Sequence, residues 1–225
     1  RSGYYDFPGK IIELHERFGF HFFGRVLIMK EPLRVAIRTR LKHLTHKQLV
    51  KDSTQSTIAA GDFVLIFKKR GENTEPVAHE TGFSRYVGGR EVPEELMQYK
   101  GTVDQKVNRL SHWIWRNYAQ CCWDDIRIDR VLPYKAAKEP DDEKHVHPLQ
   151  LDVIERCVVL WSNPGDVVMT PFMGVGSEVY GAAINGRKGI GIELKESYYK
   201  QAVRNVGRAK FGETDVEVVE EDMFA

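Results

Sequence analysis

Toward the C-terminal end of the sequence, Val167-Val168-Met169-Thr170-Pro171-Phe172-Met173-Gly174-Val175-Gly176-Ser177 is followed by Gly189-Ile190-Gly191-Ile192-Glu193. The pattern is a short apolar strand, a Gly-x-Gly turn, a helix, and a second apolar strand ending in a carboxylate. Glycine tolerates positive φ and has no Cβ, so such a turn lets the backbone approach a ligand closely. A carboxylate ending the second strand can accept two hydrogen bonds from a ribose diol, as in dinucleotide-binding folds. These residues point to a nucleoside-containing cofactor. A P-loop is excluded, because no Lys-Ser/Thr pair follows the glycines. A dinucleotide site fits poorly, because Val179 stands where its third glycine should be.

The elements that must position these residues are legible around them. Leu149 to Trp161 has the periodicity of an amphipathic helix, and Asn163-Pro164-Gly165-Asp166 is a turn into the strand Val167–Met169. A helix over Glu178–Ile184 closes at Asn185-Gly186 and leads to the strand Lys188–Glu193. Ser197 is placed to cap a last helix from Tyr198 to Lys210, and Val216–Val219 reads as a third strand. Strands alternating with helices at this spacing predict parallel βαβ units, hence an α/β fold with a doubly wound, mostly parallel sheet.

Further upstream, Pro8–Phe18 reads as a short amphipathic helix, and Phe20–Met29 as a strand. Phe63–Lys68 reads as a second strand, its continuous apolar run suggesting burial on both faces. Residues 71–100 are poorly patterned. Asp104–Gln120 reads as a helix whose aromatics belong to the core, and Asp124–Lys144 as a polar surface crossing. We expect one domain over 1–225, with residues 70–143 as an insert serving DNA recognition if nucleic acid is the partner.

At 225 residues the chain can bury a proper core, and its 42% hydrophobic and 29% charged residues are those of a soluble globular protein. No apolar run approaches the roughly 20 residues that span a bilayer. The three cysteines, Cys121, Cys122 and Cys157, have no metal spacing and no disulfide pattern, which suits the cytoplasm. Net charge is only +1, but its distribution is uneven. Arg34, Arg38, Arg40, Lys42, Lys47 and Lys51 lie in a stretch without an acidic residue, whereas Glu213–Asp222 is strongly acidic. The basic run is either a solvated face or a phosphate-binding one.

Taken together, the motifs resemble the DNA amino-methyltransferase family. Pro171-Phe172-Met173-Gly174-Val175-Gly176-Ser177 resembles its motif I, usually Asp-Pro-Phe-x-Gly-x-Gly-Thr. Arg187-Lys188-Gly189-Ile190-Gly191-Ile192-Glu193, with Tyr198-Tyr199 beyond it, resembles motif II. His147-Pro148-Leu149-Gln150 resembles motif X, commonly His-Pro-x-Gln. The resemblance implies a Rossmann-like S-adenosylmethionine-dependent methyltransferase fold. It also implies S-adenosylmethionine as cofactor and the exocyclic amine of adenine (N6) or cytosine (N4) in double-stranded DNA as methyl acceptor. It places His147, Pro148, Gln150, Thr170, Pro171 and Ser177 in the cofactor site. Phe172, Gly174 and Gly176 would line the methionine and adenosine portions, and Glu193 would hold the ribose hydroxyls. Leu194 would lie against the adenine, which Asp222 and Phe224 would reach from the next strand end. Thr170 departs from the family, where an acid is usual. A carboxylate could pair with the cofactor's ammonium, and charge-assisted hydrogen bonds are roughly twice as strong as neutral ones. Either affinity is lower, or another carboxylate such as Asp152 substitutes.

The family grips the flipped base with an Asp/Asn/Ser-Pro-Pro-Tyr/Phe tetrapeptide. None occurs here. Asp6-Phe7-Pro8-Gly9 and Leu132-Pro133-Tyr134 each lack the paired proline and read as turns. A cytosine-C5 enzyme is excluded, since no cysteine follows a proline. The late position of motif I resembles the permuted (β-class) order, and Met29-Lys30-Glu31-Pro32 resembles that class's apolar-Lys-x-Pro strand end. On this resemblance the catalytic tetrapeptide is expected upstream of Arg1, and these 225 residues alone are expected to be inactive. Tyr5-Asp6-Phe7-Pro8-Gly9, His46–Ser53 and Glu139–Gln150 also resemble methylase domains of large phage-type proteins, some joined to a helicase. Two other classes stay open: a catalytically inactive DNA-binding or assembly module that keeps the fold, and an NAD-type oxidoreductase, disfavoured by Val179.

Overall fold

The computed structural model describes residues 5–72, 75–138 and 148–214. The chain divides into two compact units, one of residues 1–74 and 115–125, the other of residues 75–114 and 126–225.

In the first unit Asp6 caps helix α1 (Phe7–Arg17), its carboxylate accepting from the Gly9 N–H at 3.1 Å. Gly19, at φ +84°, ends the helix and turns the chain into strand β1 (Phe20–Ile28). The basic run is not a plain connection. Glu31 caps helix α2 (Pro32–Thr39) by accepting from the Leu33 and Arg34 N–H groups, and a short helix α3 (His46–Lys51) follows. Strand β2 (Asp62–Lys69) then pairs antiparallel with β1. Helix α4 (Arg109–Tyr118) enters from the second unit and leads to the short strand β3 (Cys122–Trp123), which runs parallel to β1. The sheet order is β2-β1-β3.

The burial expected for both faces of β2 is not found. β2 lies at the edge of its sheet, and its residues are half-buried or exposed. Helix α1 packs on one face, where His15 stacks on Phe67 at 4.4 Å, and cationic side chains lie against further rings. The Lys68 ammonium sits 3.5 Å from the Phe23 ring centre and the Arg25 guanidinium 5.8 Å from that of Phe63.

In the second unit helix α5 (Leu151–Trp161) precedes a β-α-β unit made of β4 (Val167–Thr170), α6 (Ser177–Ile184) and β5 (Lys188–Gly191). The strands are parallel, in register from Val167 opposite Lys188 to Thr170 opposite Gly191. Leu151, Ile154 and Val158 of α5 pack with Val175, Tyr180 and Ile184 in the core. That core also contains Val131, Leu132 and Tyr134, so the expected surface crossing over Asp124–Lys144 is in part a buried layer. Its polar appearance came from Arg127 and Arg130, whose charges are met by Asp152 and Glu155 on α5.

Helix α7 (Glu196–Val206) starts earlier than Ser197 would dictate. The Glu193 carboxylate accepts from the Lys195 N–H at 2.8 Å and so fixes the chain at the helix entry. Ser197 Oγ is buried and makes no hydrogen bond among the described residues. The strand expected at Val216–Val219 lies outside the described residues.

Candidate functional site

The turn between β4 and α6 has the backbone that its glycines allow. Gly174 and Gly176 sit at φ +55° and +94°, in the left-handed region that side-chain-bearing residues rarely adopt. Gly176 is also tight against α7: a Cβ there would lie 3.1 Å from that of Ala202. Thr170, at the end of β4, is buried, and its hydroxyl accepts from the Phe172 N–H at 3.3 Å. Glu193 joins the two strand ends. One carboxylate oxygen accepts from the Gly174 N–H at 2.8 Å and the other from the Lys195 N–H at 2.8 Å. Each carboxylate oxygen offers about two lone-pair sites, so each keeps one for a ligand hydroxyl.

Beside this turn is a cavity of about 240 Å³, lined by Tyr134, Pro148, Leu149, Phe172, Met173, Gly174, Val175, Ser177, Glu178 and Tyr198. The walls are mostly apolar, and two polar groups in them lack a partner. Ser177 is 3% exposed, yet its hydroxyl has no hydrogen-bond partner among the described residues. Burial pushes the Glu178 carboxyl above the usual carboxylate range, offset only in part by its own backbone N–H. Phe172 and Leu194 are 85% and 98% exposed, large apolar surfaces at the ends of the two strands. A site with unmet acceptors, apolar walls and a two-oxygen carboxylate fits a ligand carrying a diol, a flat ring and a positive charge.

The structure thus brings together Pro148, Phe172, Gly174 and Ser177 at one cavity, with Glu193 bonded to its Gly174 edge. Pro171 is exposed in the turn, and Gln150 precedes α5 without capping it through its side chain. His147, Asp222 and Phe224 lie outside the described residues. Asp152 is corrected: it is fully buried and accepts from the backbone and guanidinium of Arg127 at 2.7–3.0 Å and from Arg130 at 2.8 Å. Burial alone would raise its carboxyl, but the Arg127 and Arg130 hydrogen bonds and charges hold it below the usual range. It is therefore committed to structure and not available as a stand-in for Thr170. Tyr134, Leu149, Met173, Val175, Glu178 and Tyr198 also line the cavity, and of these Tyr134 and Glu178 fall in none of the three motifs. An acid in the first turn of a helix is common for dipole reasons alone, so Glu178 carries no distinguishing signal.

Arg34, Arg38, Arg40, Lys42, Lys47 and Lys51 are all exposed, on α2, α3 and the segment joining them. Burial pushes the Cys157 thiol up to about 12, which leaves it inert as a nucleophile. Among the described residues no group of three or more His, Cys, Asp or Glu could hold a metal, and no helix is long and apolar enough to cross a membrane.

A family model described as DNA methylase, of the N6/N4 methyltransferase type, matches residues 10–204, most of the chain and all of the described turn. The chain belongs to this DNA methylase family. It is similar to the DNA adenine methyltransferase YhdJ of Escherichia coli K12, 39% identical over 109 residues, which cover 48% of this chain and 34% of that protein. It is also similar to the type II methyltransferase M.MthZI of Methanothermobacter thermautotrophicus, 27% identical over 101 residues, 45% of this chain and 28% of the other. The chain therefore spans about a third of the length of these curated relatives. Among solved structures, the DNA modification methylase TTHA0409 of Thermus thermophilus, complexed with S-adenosyl-L-methionine, matches with a TM-score of 0.55 at 20% identity. The match covers 91% of this chain and 61% of that one. This likeness shows the fold: the methylase chain has the Rossmann-like α/β architecture of S-adenosylmethionine-dependent methyltransferases.

Proposed function

We propose that this DNA methylase family member binds S-adenosylmethionine at the β4–α6–β5 turn and serves methyl transfer to the exocyclic amine of adenine (N6) or cytosine (N4) in double-stranded DNA. The observation that carries this reading is the Glu193 carboxylate, tied to Gly174 and keeping acceptor capacity beside a largely apolar cavity. Glu193 holds the ribose diol, Phe172 and Leu194 cover the adenine and methionine portions, and the positive-φ glycines let the backbone come close. When bound, the cofactor supplies a methyl group on a positively charged sulfur. The protein's task at that position is to hold the methyl group in line with the amine and exclude water.

The finer reading is a permuted, β-class arrangement, in which the base-gripping tetrapeptide precedes the cofactor motifs. It is supported by β1 ending at Ile28 and running into Met29-Lys30-Glu31-Pro32, with β2 paired beside it. A cytoplasmic setting, a helicase partner or fusion, and DNA phosphates along α2 and α3 belong to the same proposal, with part of residues 70–143 reading the duplex. A second reading, a catalytically inactive DNA-binding module, is favoured by one fact: no two of the nine prolines are adjacent, so the base-gripping tetrapeptide is not in this sequence. Incubating the full-length natural protein, not these 225 residues alone, with methyl-labelled S-adenosylmethionine and unmethylated duplex DNA separates the two. Label in the DNA as N6-methyladenine or N4-methylcytosine supports the enzyme reading, and cofactor binding without transfer supports the module.

A further inference from the structure

A cofactor that carries an ammonium group needs a negative charge near it; Glu193 is assigned to the ribose, and neither position 170 nor Asp152 supplies one. Position 170 holds a threonine whose hydroxyl is engaged with the Phe172 N–H. Asp152 is saturated by Arg127 and Arg130. Glu178, in the first turn of α6, faces a different situation. It lines the cavity beside Gly174, and among the described residues no lysine, arginine or histidine pairs with it. Its neighbour Ser177 presents to the same cavity a 97%-buried side chain, 3% exposed, whose Oγ has no partner among those residues. A half-buried carboxylate without a cation, next to a buried hydroxyl without a partner, is left under-satisfied unless a ligand meets both.

We infer that Glu178 is the counter-ion for the α-ammonium of the cofactor's methionine portion, with Ser177 Oγ as its second acceptor. The inference rests on the cofactor reading above and assigns the charge that Thr170 lacks. It also explains why the free carboxyl is held above the usual range: its partner arrives with the ligand.

Calorimetric titration of the 225-residue chain and its Glu178→Gln variant with three ligands tests this. S-adenosylmethionine carries the ammonium and the sulfonium, S-adenosylhomocysteine the ammonium alone, and methylthioadenosine neither. The expected result is affinity about tenfold weaker for the first two and unchanged for the third, since a charge-assisted hydrogen bond becomes a neutral one. The unliganded variant should melt no lower than the parent, because glutamine removes a desolvated charge without changing shape. Ser177→Ala should give the same pattern at smaller amplitude. Unchanged affinity for S-adenosylmethionine and S-adenosylhomocysteine would overturn the assignment. So would a loss confined to S-adenosylmethionine, which marks a sulfonium contact, or an equal loss for all three, which marks a structural role. If the parent chain binds none of the three, the cofactor reading itself falls, and this assignment with it.

Discussion

At the scale of single residues, the same side-chain type does different work according to what reaches it. Glu193 accepts two backbone N–H bonds and stays half-exposed, so it can both shape the turn and take a ligand. Asp152 accepts four bonds from two arginines and has nothing left. Removing that charge leaves the half-buried Arg130 with Glu155 still beside it but takes away charge-assisted hydrogen bonds, so Asp152→Asn should cost about 1–3 kcal/mol of stability in denaturant unfolding. The pH dependence has a definite sign. The folded-state carboxyl lies below the unfolded aspartate value of about 3.9, so the folded state binds the proton less readily. The stability from this charge is then complete above about pH 4 and lost as the pH falls through the folded value. The gap between parent and Asp152→Asn should therefore close in acid, and a gap that stays constant down to about pH 2 would contradict the assignment. The place of Glu193 beside the glycine turn was legible in the sequence, because it closely follows the strand that pairs with β4. The fate of Asp152 was not, since its arginines arrive from 22 and 25 residues upstream.

The elements show how the methylase turn does without the third glycine of a dinucleotide site. In that pattern a glycine on the helix lets strand and helix pack closely. Here the helix carries Val179, and the glycine is on the strand: a Cβ on Gly189 would lie 2.7 Å from a Val179 methyl and 2.9 Å from its Cα. The close approach is kept with the small residue on the opposite partner. Because the conflict includes helix backbone, Gly189→Ala cannot be relieved by a rotamer change and should destabilise the chain by about 1–3 kcal/mol. Thermal melts of Gly189→Ala and, as an open-position control without positive φ, Gly24→Ala would measure it; an unchanged midpoint for Gly189→Ala would refute the packing account. Strand and helix periodicity made β4, α6, β5 and α5 readable to within a few residues. The segment around Val131 to Tyr134 was misjudged because its apolar residues alternate with charges that find partners only on α5. The start of α7 was misjudged because Glu193, not Ser197, meets the N–H at its entry.

For the molecule as a whole, charge is segregated, not abundant. A net of +1 conceals six basic side chains on α2, α3 and the residues joining them, all exposed. If these face DNA phosphates, replacing Arg38, Arg40 and Lys47 with alanine should weaken duplex binding. It should also flatten the logarithmic salt dependence by about 0.9 for each phosphate contact removed. An unchanged slope would make the run a solvated face. Family membership was legible from the order of motifs, and the match over residues 10–204 agrees with it. The base-gripping residues were not, because this sequence contains no tetrapeptide of that kind. The central claim is that Glu193 and the Gly174 turn hold the ribose of S-adenosylmethionine. Its most direct test is calorimetric titration of the chain with that cofactor, beside Glu193→Ala. We predict saturable binding by the parent and its loss in the variant, with circular dichroism unchanged. No binding by the parent, or equal binding by a folded Glu193→Ala, would contradict the account.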